Sequence, residues 1–433
     1  MSPTTVAILG IILMLVLMFI GIPVGFAMAF AGFLGMLYFV SPVAALTTLG
    51  GSLWSQFSDY GLSVIPLFIL MGQICFNSGI SGRLYDAAYK WVGQLRGGIA
   101  MATIGACAGF AAICGSNTAT AATMGTIALP EMKKYNYDPV LSTGTVATGG
   151  ILGVVIPPSV VLIVIGIQTQ QSIAKLFIGG IFPGIIMSVL FMITIYALCR
   201  WNPHLGPAGP KTSLKQKLAS LGGVIETLIL FGMVIGGLMV GWFTPTEAGA
   251  AGAFGAIIIT LARQEFTWQR FTKSLAETLR ISCMVMVLVA GAVVFGRFLA
   301  VTRLPFLVAD WASALPIPRV GALGIVLLIY LIGGCIMDGL GFLIVTIPIF
   351  FPMLMVLGYD PLWAGILLMV VTTIGAITPP VGVCVFVVKG LVPEIPIGDI
   401  FKGVSYFFAA CLLILIILVA FPQVATFLPS LAK

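Results

Sequence analysis

Two short stretches of this sequence place polar atoms in an apolar setting. Gly115-Ser116-Asn117-Thr118 opens a run of small polar residues that continues to Thr126, and Asp338-Gly339-Leu340-Gly341 stands in similar surroundings. Each is followed by a proline pair, Pro157-Pro158 and Pro379-Pro380, the second preceded by Thr378. Proline has no N–H, so carbonyls one turn earlier lose their helical donors. At membrane depth a bare carbonyl is costly unless it binds something or lines a wet cavity. Carbonyls combined with Ser, Thr and Asn oxygens suit a hard cation such as sodium, and half-helix N-termini offer N–H groups to an anion such as a carboxylate. A single Pro is ordinarily a kink, and Ser116 or Thr118 alone could join helices by hydrogen bonds. Two proline pairs, each beside a polar turn, fit that reading less well. Asn117 carries an amide that needs several partners. Asp338 at the membrane centre would cost ~2.5–3.5 kcal/mol, so it is either functional or solvated.

The setting is a membrane. Sixty per cent of the 433 residues are hydrophobic and 8% are charged, against about 25% charged in soluble chains. Apolar runs at 5–20, 22–40, 62–76, 176–198, 224–243, 281–296 and 403–421 read as bilayer helices. The first cation is Arg83, so the N-terminus lacks the basic region of a cleavable signal. The eight cysteines are scattered without a CxxC pair and read as buried fillers. His204 is the only histidine, which leaves neither a Ser-His-Asp triad nor a histidine metal cluster, and the expectation is no enzyme and no resident cofactor. No GxxxxGK[ST] loop suggests an ATPase. The net charge of +7 follows from topology and needs no nucleic acid.

A shift of 222 residues lays the sequence on itself. Pro23 meets Pro245, Pro130 meets Pro352, Tyr137-Asp138-Pro139 meets Tyr359-Asp360-Pro361, Gly153 meets Gly375, and the proline pairs coincide. Such repeats mark transporter folds. The expected fold is an all-α membrane protein of two inverted-topology repeats, each with five transmembrane helices and a re-entrant helical hairpin. It forms a single polytopic domain over 1–433: repeat one about 1–200, a cytoplasmic linker about 200–222, and repeat two about 223–422. The hairpins are placed at about 97–131 and 319–353, and surface amphipathic helices at 42–60 and 263–280. With the N-terminus outside, fifteen of the twenty Lys and Arg fall on the cytoplasmic side, while Lys175, Arg303, Arg319 and Lys433 fall outside and Arg297 sits near a helix end. Both termini then lie outside. Small residues at 21–35 and 245–255 read as helix-packing surfaces, and Glu247 as the cap of a helix start.

At these motifs the sequence resembles the large membrane subunit of tripartite ATP-independent periplasmic (TRAP) transporters, the DctM-like family. The resemblance rests on GSNTATAATMGTIALPEMKKYNYDP at 115–139, GGILGVVIPPSVVLIVIG at 149–166, FTPTEAGAAGAF at 243–254 and TPPVGVCVFVV at 378–388, and covers essentially the whole chain. It implies an elevator transporter of the bacterial inner membrane, with a mobile part holding the hairpins and broken helices and a scaffold holding the rest. Sodium would drive uptake of an organic acid (a dicarboxylate, sugar acid or sialic acid). A periplasmic binding protein would deliver it, and a small four-helix membrane subunit, not fused here, would complete the scaffold. By motif position the first sodium site maps to Ser116, Asn117, Gly150, Gly153 and Pro157, and the second to Gly339, Gly341, Thr372, Thr373 and Thr378. Substrate-binding positions are expected at Asn117, Thr118, Pro158, Asp338, Pro379 and Pro380. Cys384 stands where the family often has Asn, and Ile151 where it often has Ser, which leaves backbone rather than side-chain ligands at those points. The alternative is a stand-alone sodium–carboxylate symporter or antiporter of a related hairpin fold. A channel is disfavoured because the two tips enter from opposite faces.

Overall fold

The computed structural model describes residues 2–314 and 316–432. Among them every regular element is helical. The chain begins with α1 (Pro3–Phe19) and α2 (Val24–Phe39), then α3 (Pro42–Phe57), a 3-10 turn at Tyr60–Ser63, α4 (Val64–Asn77) and α5 (Ile80–Val92). A hairpin of α6 (Gly98–Cys114) and α7 (Asn117–Lys134) leads to the broken pair α8 (Pro139–Val155) and α9 (Val160–Thr169), then to the long α10 (Ile173–Trp201). After a polar linker come α11 (Leu214–Ser220), α12 (Gly222–Phe231) and α13 (Gly237–Val240), the last two joined by a π turn at Gly232–Gly236. The second half holds α14 (Pro245–Ala262), α15 (Trp268–Val301), α16 (Leu304–Ala314), a hairpin of α17 (Arg319–Ile336) and α18 (Gly339–Val356), and the broken pair α19 (Pro361–Gly375) and α20 (Val383–Leu391). It closes with α21 (Ile397–Ser405), α22 (Phe408–Ala420) and α23 (Gln423–Leu431).

Among the described residues seven helices are long and apolar enough to cross a membrane, or nine if each of two bent pairs is one span. The bent pairs are α8–α9, at 41°, and α21–α22, at 45°. Helices α1 and α2 are apolar but shorter, at 17 and 16 residues.

Local chemistry explains the helix starts. Asp138 accepts hydrogen bonds from the N–H groups of Val140 and Leu141, with Pro139 at the first helical position. Asp360 does the same for Trp363, with Pro361 behind it. The doubled Tyr-Asp-Pro motif is therefore a pair of N-caps with proline preset for the first turn. Thr244 and Glu247 form a reciprocal capping box at the start of α14. A 222-residue shift carries α7 onto α18 at both ends, and α8 and α19 start at the same offset.

Two expected elements differ. Residues 263–280 do not form a separate surface helix. From Trp268 they run unbroken into the apolar segment as one 34-residue helix, because neither glycine nor proline interrupts 268–290. In the first half, Asp59 caps a 3-10 turn through the Gly61 N–H at 2.8 Å and separates α3 from α4. The apolar run at 403–421 is likewise not one helix, since the chain bends between Ser405 and Phe408. Lys433, counted among the outer cations, lies outside the described residues.

The helices pack through small residues. α2 lies on α15, where a Cβ on Gly291 would stand 2.0 Å from the Gly25 carbonyl. α14 lies on α4, with Gly249 against Phe68 and Gly252 against Met71. Such close approach is how helices associate when lipid offers no hydrophobic drive between them. Each hairpin packs on the broken helix of its own half and also on the second part of the other: α7 on α8 and α20, α18 on α19 and α9.

Candidate functional site

The first hairpin turns at Gly115 and Ser116. Gly115 has φ +68°, and a Cβ there would meet the Pro158 carbonyl at 2.8 Å, so both its backbone angle and its neighbour require glycine. Across the gap, a Cβ on Gly153 would lie 2.3 Å from the Ser116 carbonyl, and one on Gly150 would lie 3.2 Å from the Asn117 carbonyl. The tip of α6–α7 therefore rests backbone to backbone on the break of α8–α9. Ser116, Asn117, Gly150, Gly153, Pro157 and Pro158 come together here, and Thr118 stands beside them, its hydroxyl 3.2 Å from that of Ser116. Asn117 turns its side-chain oxygen to the Thr118 N–H at 2.7 Å.

The oxygens at this junction are unevenly satisfied. Pro157 and Pro158 remove the helical donors of the Gly153 and Val154 carbonyls. The Ser159 hydroxyl is buried and has no partner among the described residues. Buried polar groups are nearly always paired, so an orphan at a helix break calls for an explanation such as a bound ion. Ser159 was not singled out from sequence. The signal was present, since it is the first hydroxyl after the proline pair, but a serine there also reads as an ordinary helix start.

The second junction has the same plan and a different finish. Gly334 of α17 and Gly375 of α19 meet closely, and a Cβ on Gly339 would lie 3.4 Å from Thr372 Cγ2. Gly341 points elsewhere, toward Val24 at the start of α2. The carbonyls that Pro379 and Pro380 would strand are satisfied: Gly375 accepts from the Thr378 N–H at 3.0 Å and Ala376 from the Cys384 N–H at 3.1 Å. Thr372, Thr373 and Thr378 donate their hydroxyls to carbonyls one turn back, leaving each oxygen free to act as an acceptor. Asp338 caps α18 through the Gly341 N–H, and its side chain is exposed, as are Pro379 and Pro380, whereas Pro157 and Pro158 are buried. Both proline pairs are joined by cis peptide bonds.

A cavity of about 340 Å³ opens onto the first tip, where Ser116, Thr118 and Ala119 face Gln73 of α4, Ile281 of α15 and Val387 of α20. Its size suits a small organic molecule. Asp338, Pro379 and Pro380 are not part of its wall. Of the expected substrate positions only Thr118 lines this cavity; Asn117 and Pro158 belong to the adjoining junction, and Asp338, Pro379 and Pro380 lie around the second tip. Among the described residues no three of His, Cys, Asp and Glu gather at one point. The donor set at both junctions is hydroxyl and carbonyl oxygen, suited to a hard cation.

One further feature went unread in the sequence. Glu226 of α12, almost fully buried, binds Arg83 of α5 at 2.7 Å and also Arg263 at the end of α14. Arg83 reaches Glu265 as well, at 2.6 Å.

Residues 11–424 match the family described as "Tripartite ATP-independent periplasmic transporter, DctM component". The chain belongs to the DctM family of TRAP transporter large subunits. It is 35% identical over 387 residues to the C4-dicarboxylate TRAP transporter large permease protein of Pseudomonas aeruginosa, covering 89% of this chain and 90% of that one. It is 30% identical to the sialic acid TRAP transporter large permease protein of Vibrio cholerae, over 96% of each. The YdaH transporter of Alcanivorax borkumensis shares the fold, with a TM-score of 0.61 at 16% identity over 92% of this chain and 91% of that one. This DctM-family chain is a multi-pass membrane transporter subunit and not an enzyme.

Proposed function

We propose that the chain is the permease subunit of a sodium-coupled importer of an organic acid. The observation that carries this reading is the first tip-on-break junction. There the tip backbone of Ser116 and Asn117 crowds a helix break whose Gly153 and Val154 carbonyls lack helical donors, beside the orphan Ser159 hydroxyl; the Ser116 carbonyl itself already accepts from the Thr120 N–H and hydroxyl. A sodium ion satisfies such oxygens without a proton to place. The second junction, with its carbonyls already satisfied and its threonine oxygens available, is a second sodium position. The substrate carboxylate binds between the tips, beside the Ser116 and Thr118 hydroxyls that face the cavity. Relatives named for C4-dicarboxylates and for sialic acid support a small carboxylic acid as cargo.

The paired helix bounds, the two glycine-mediated contacts and the charge distribution support inverted repeats in an inner membrane with both termini outside. In this reading α6–α9 and α17–α20 move together against a scaffold of α1–α4 and α12–α15. A periplasmic binding protein delivers the acid, and a small four-helix subunit widens the scaffold. Each net positive charge carried inward gains ~2.3 kcal/mol per 100 mV, enough to concentrate an anion without nucleotide.

The test is uptake into proteoliposomes holding this chain and its small subunit, with candidate binding proteins and their acids, with and without an inward sodium gradient. Uptake that requires both sodium and a binding protein is expected. Equal uptake without sodium would remove the coupling. Uptake without any binding protein would favour a stand-alone symporter.

A further inference from the structure

A second cavity, of about 430 Å³, lies apart from both junctions. One wall is the end of α3 and the outer part of α15; the other is the end of α9 and Pro348 of α18. In the proposed division these are scaffold and mobile part, so the cavity sits on their seam, and only 3.8 Å separates Pro348 from a Cβ position on Gly296. Its polar lining is Ser55, Gln56, Asp59, Gln168, Gln170 and Arg297. Arg297 is exposed to it and makes no salt bridge among the described residues. The amide nitrogen of Gln168 is buried without a hydrogen-bond partner, and Gln56 on the facing wall is 8% exposed. The one acid on the wall, Asp59, has an oxygen engaged by the Gly61 N–H.

We infer that this cavity is an anion station, in which Arg297 and the Gln168 amide receive the acidic group of the cargo before it reaches the hairpin tips. An unpaired guanidinium and an orphan N–H donor on residues lining one cavity ask for an acceptor with two oxygens, such as a carboxylate. The cavity lies toward the outer ends of α9 and α15 in the proposed topology, where a delivered acid arrives. Closure of the seam would expel the ligand, so the station hands it on rather than storing it. This assignment rests on the proposed uptake of an organic acid.

The test reads charge in the cavity without relying on transport. Ala300, exposed on the cavity wall one turn beyond Arg297, is replaced as Ala300→Cys in this chain together with its small subunit, in right-side-out membrane vesicles. Anionic sulfonatoethyl and cationic trimethylammonium-ethyl methanethiosulfonate are applied from outside, and labelling of the same complex without Ala300→Cys is subtracted. The anionic reagent should be favoured with Arg297 present, and Arg297→Gln should lower the anion-to-cation rate ratio on the order of tenfold, while Arg297→Lys retains it. Succinate, isethionate or sialic acid should slow labelling with Arg297 and not with Arg297→Gln. A ratio unchanged by Arg297→Gln overturns the station, and so does protection by none of the three acids. If the ratio and protection behave as expected but the unsubstituted complex shows no sodium-dependent uptake, the transport reading fails and the anion site stands.

Discussion

Ser159 offers a way to separate ligation from architecture at the level of single side chains. Its buried hydroxyl has no partner, so removing it deletes no protein hydrogen bond, and the ion-free protein gains or loses little. An ion that binds only the folded state adds about 2.7 kcal/mol at a hundred times its Kd. Ser159→Ala is therefore expected to unfold normally without sodium and to lose most of the sodium-induced rise in Tm; a rise equal to that of the unsubstituted chain would exclude Ser159 as a ligand. Asn117→Ala should abolish or strongly weaken sodium-dependent uptake while the protein still inserts, and unchanged sodium dependence would count against the site. Gly153→Ala is harsher. Its methyl would sit 2.3 Å from the Ser116 carbonyl, a backbone atom that cannot swing aside. Overpacking of this kind costs about 1–3 kcal/mol, and the tip should be pushed off the break, lowering sodium affinity and Tm together.

The charged knot at Glu226 acts on whole helices, since it ties α5, α12 and the end of α14 with one carboxylate between two arginines. Removing a buried partner strands the charges it held and costs ~3–5 kcal/mol. Arg263 is 47% exposed and water screens it, so the lower end of that range is expected for Glu226→Ala. Its Tm should fall further than that of Arg263→Ala. Equal shifts would mean that the knot is only a surface ion pair. None of this was legible in the sequence, because a lone acid in an apolar run has no periodicity and its partners lie 143 and 37 residues away. The hairpin turns and helix breaks were legible because glycine and proline state backbone geometry directly. The unequal finish of the two breaks was not, since the same Pro-Pro pair is followed by Ser159 in one and by Val381 in the other. Only in the second does the chain fold back to bring the Cys384 N–H to Ala376. The length of α15 was misread for a related reason: its first turns are polar and its remainder apolar, and polarity alone breaks no helix.

At the scale of the molecule, the proposed mechanism depends on the two hairpins entering from opposite faces, and this is where it is most exposed to test. The segments that follow them correspond under the 222-residue shift: Lys134 ends α7 and Leu357 follows α18. The first carries Lys133 and Lys134, while its counterpart carries no Lys or Arg, as cytoplasmic and outer loops should differ. If the repeats are inverted, a cysteine replacing Lys134 should react with an impermeant thiol reagent only in inside-out vesicles, and one replacing Leu357 only in right-side-out vesicles. Both side chains lie at helix ends, so failure to label from either side would not follow from burial in the bilayer core. Labelling of both from one face would mean parallel hairpins. Two tips could then no longer approach a shared site from opposite sides, and sliding of α6–α9 with α17–α20 could not expose that site alternately to the two compartments. Opposite-face labelling, by contrast, lets the two tips meet from opposite sides, with the stranded Gly153 and Val154 carbonyls of the first break where an ion is their natural partner.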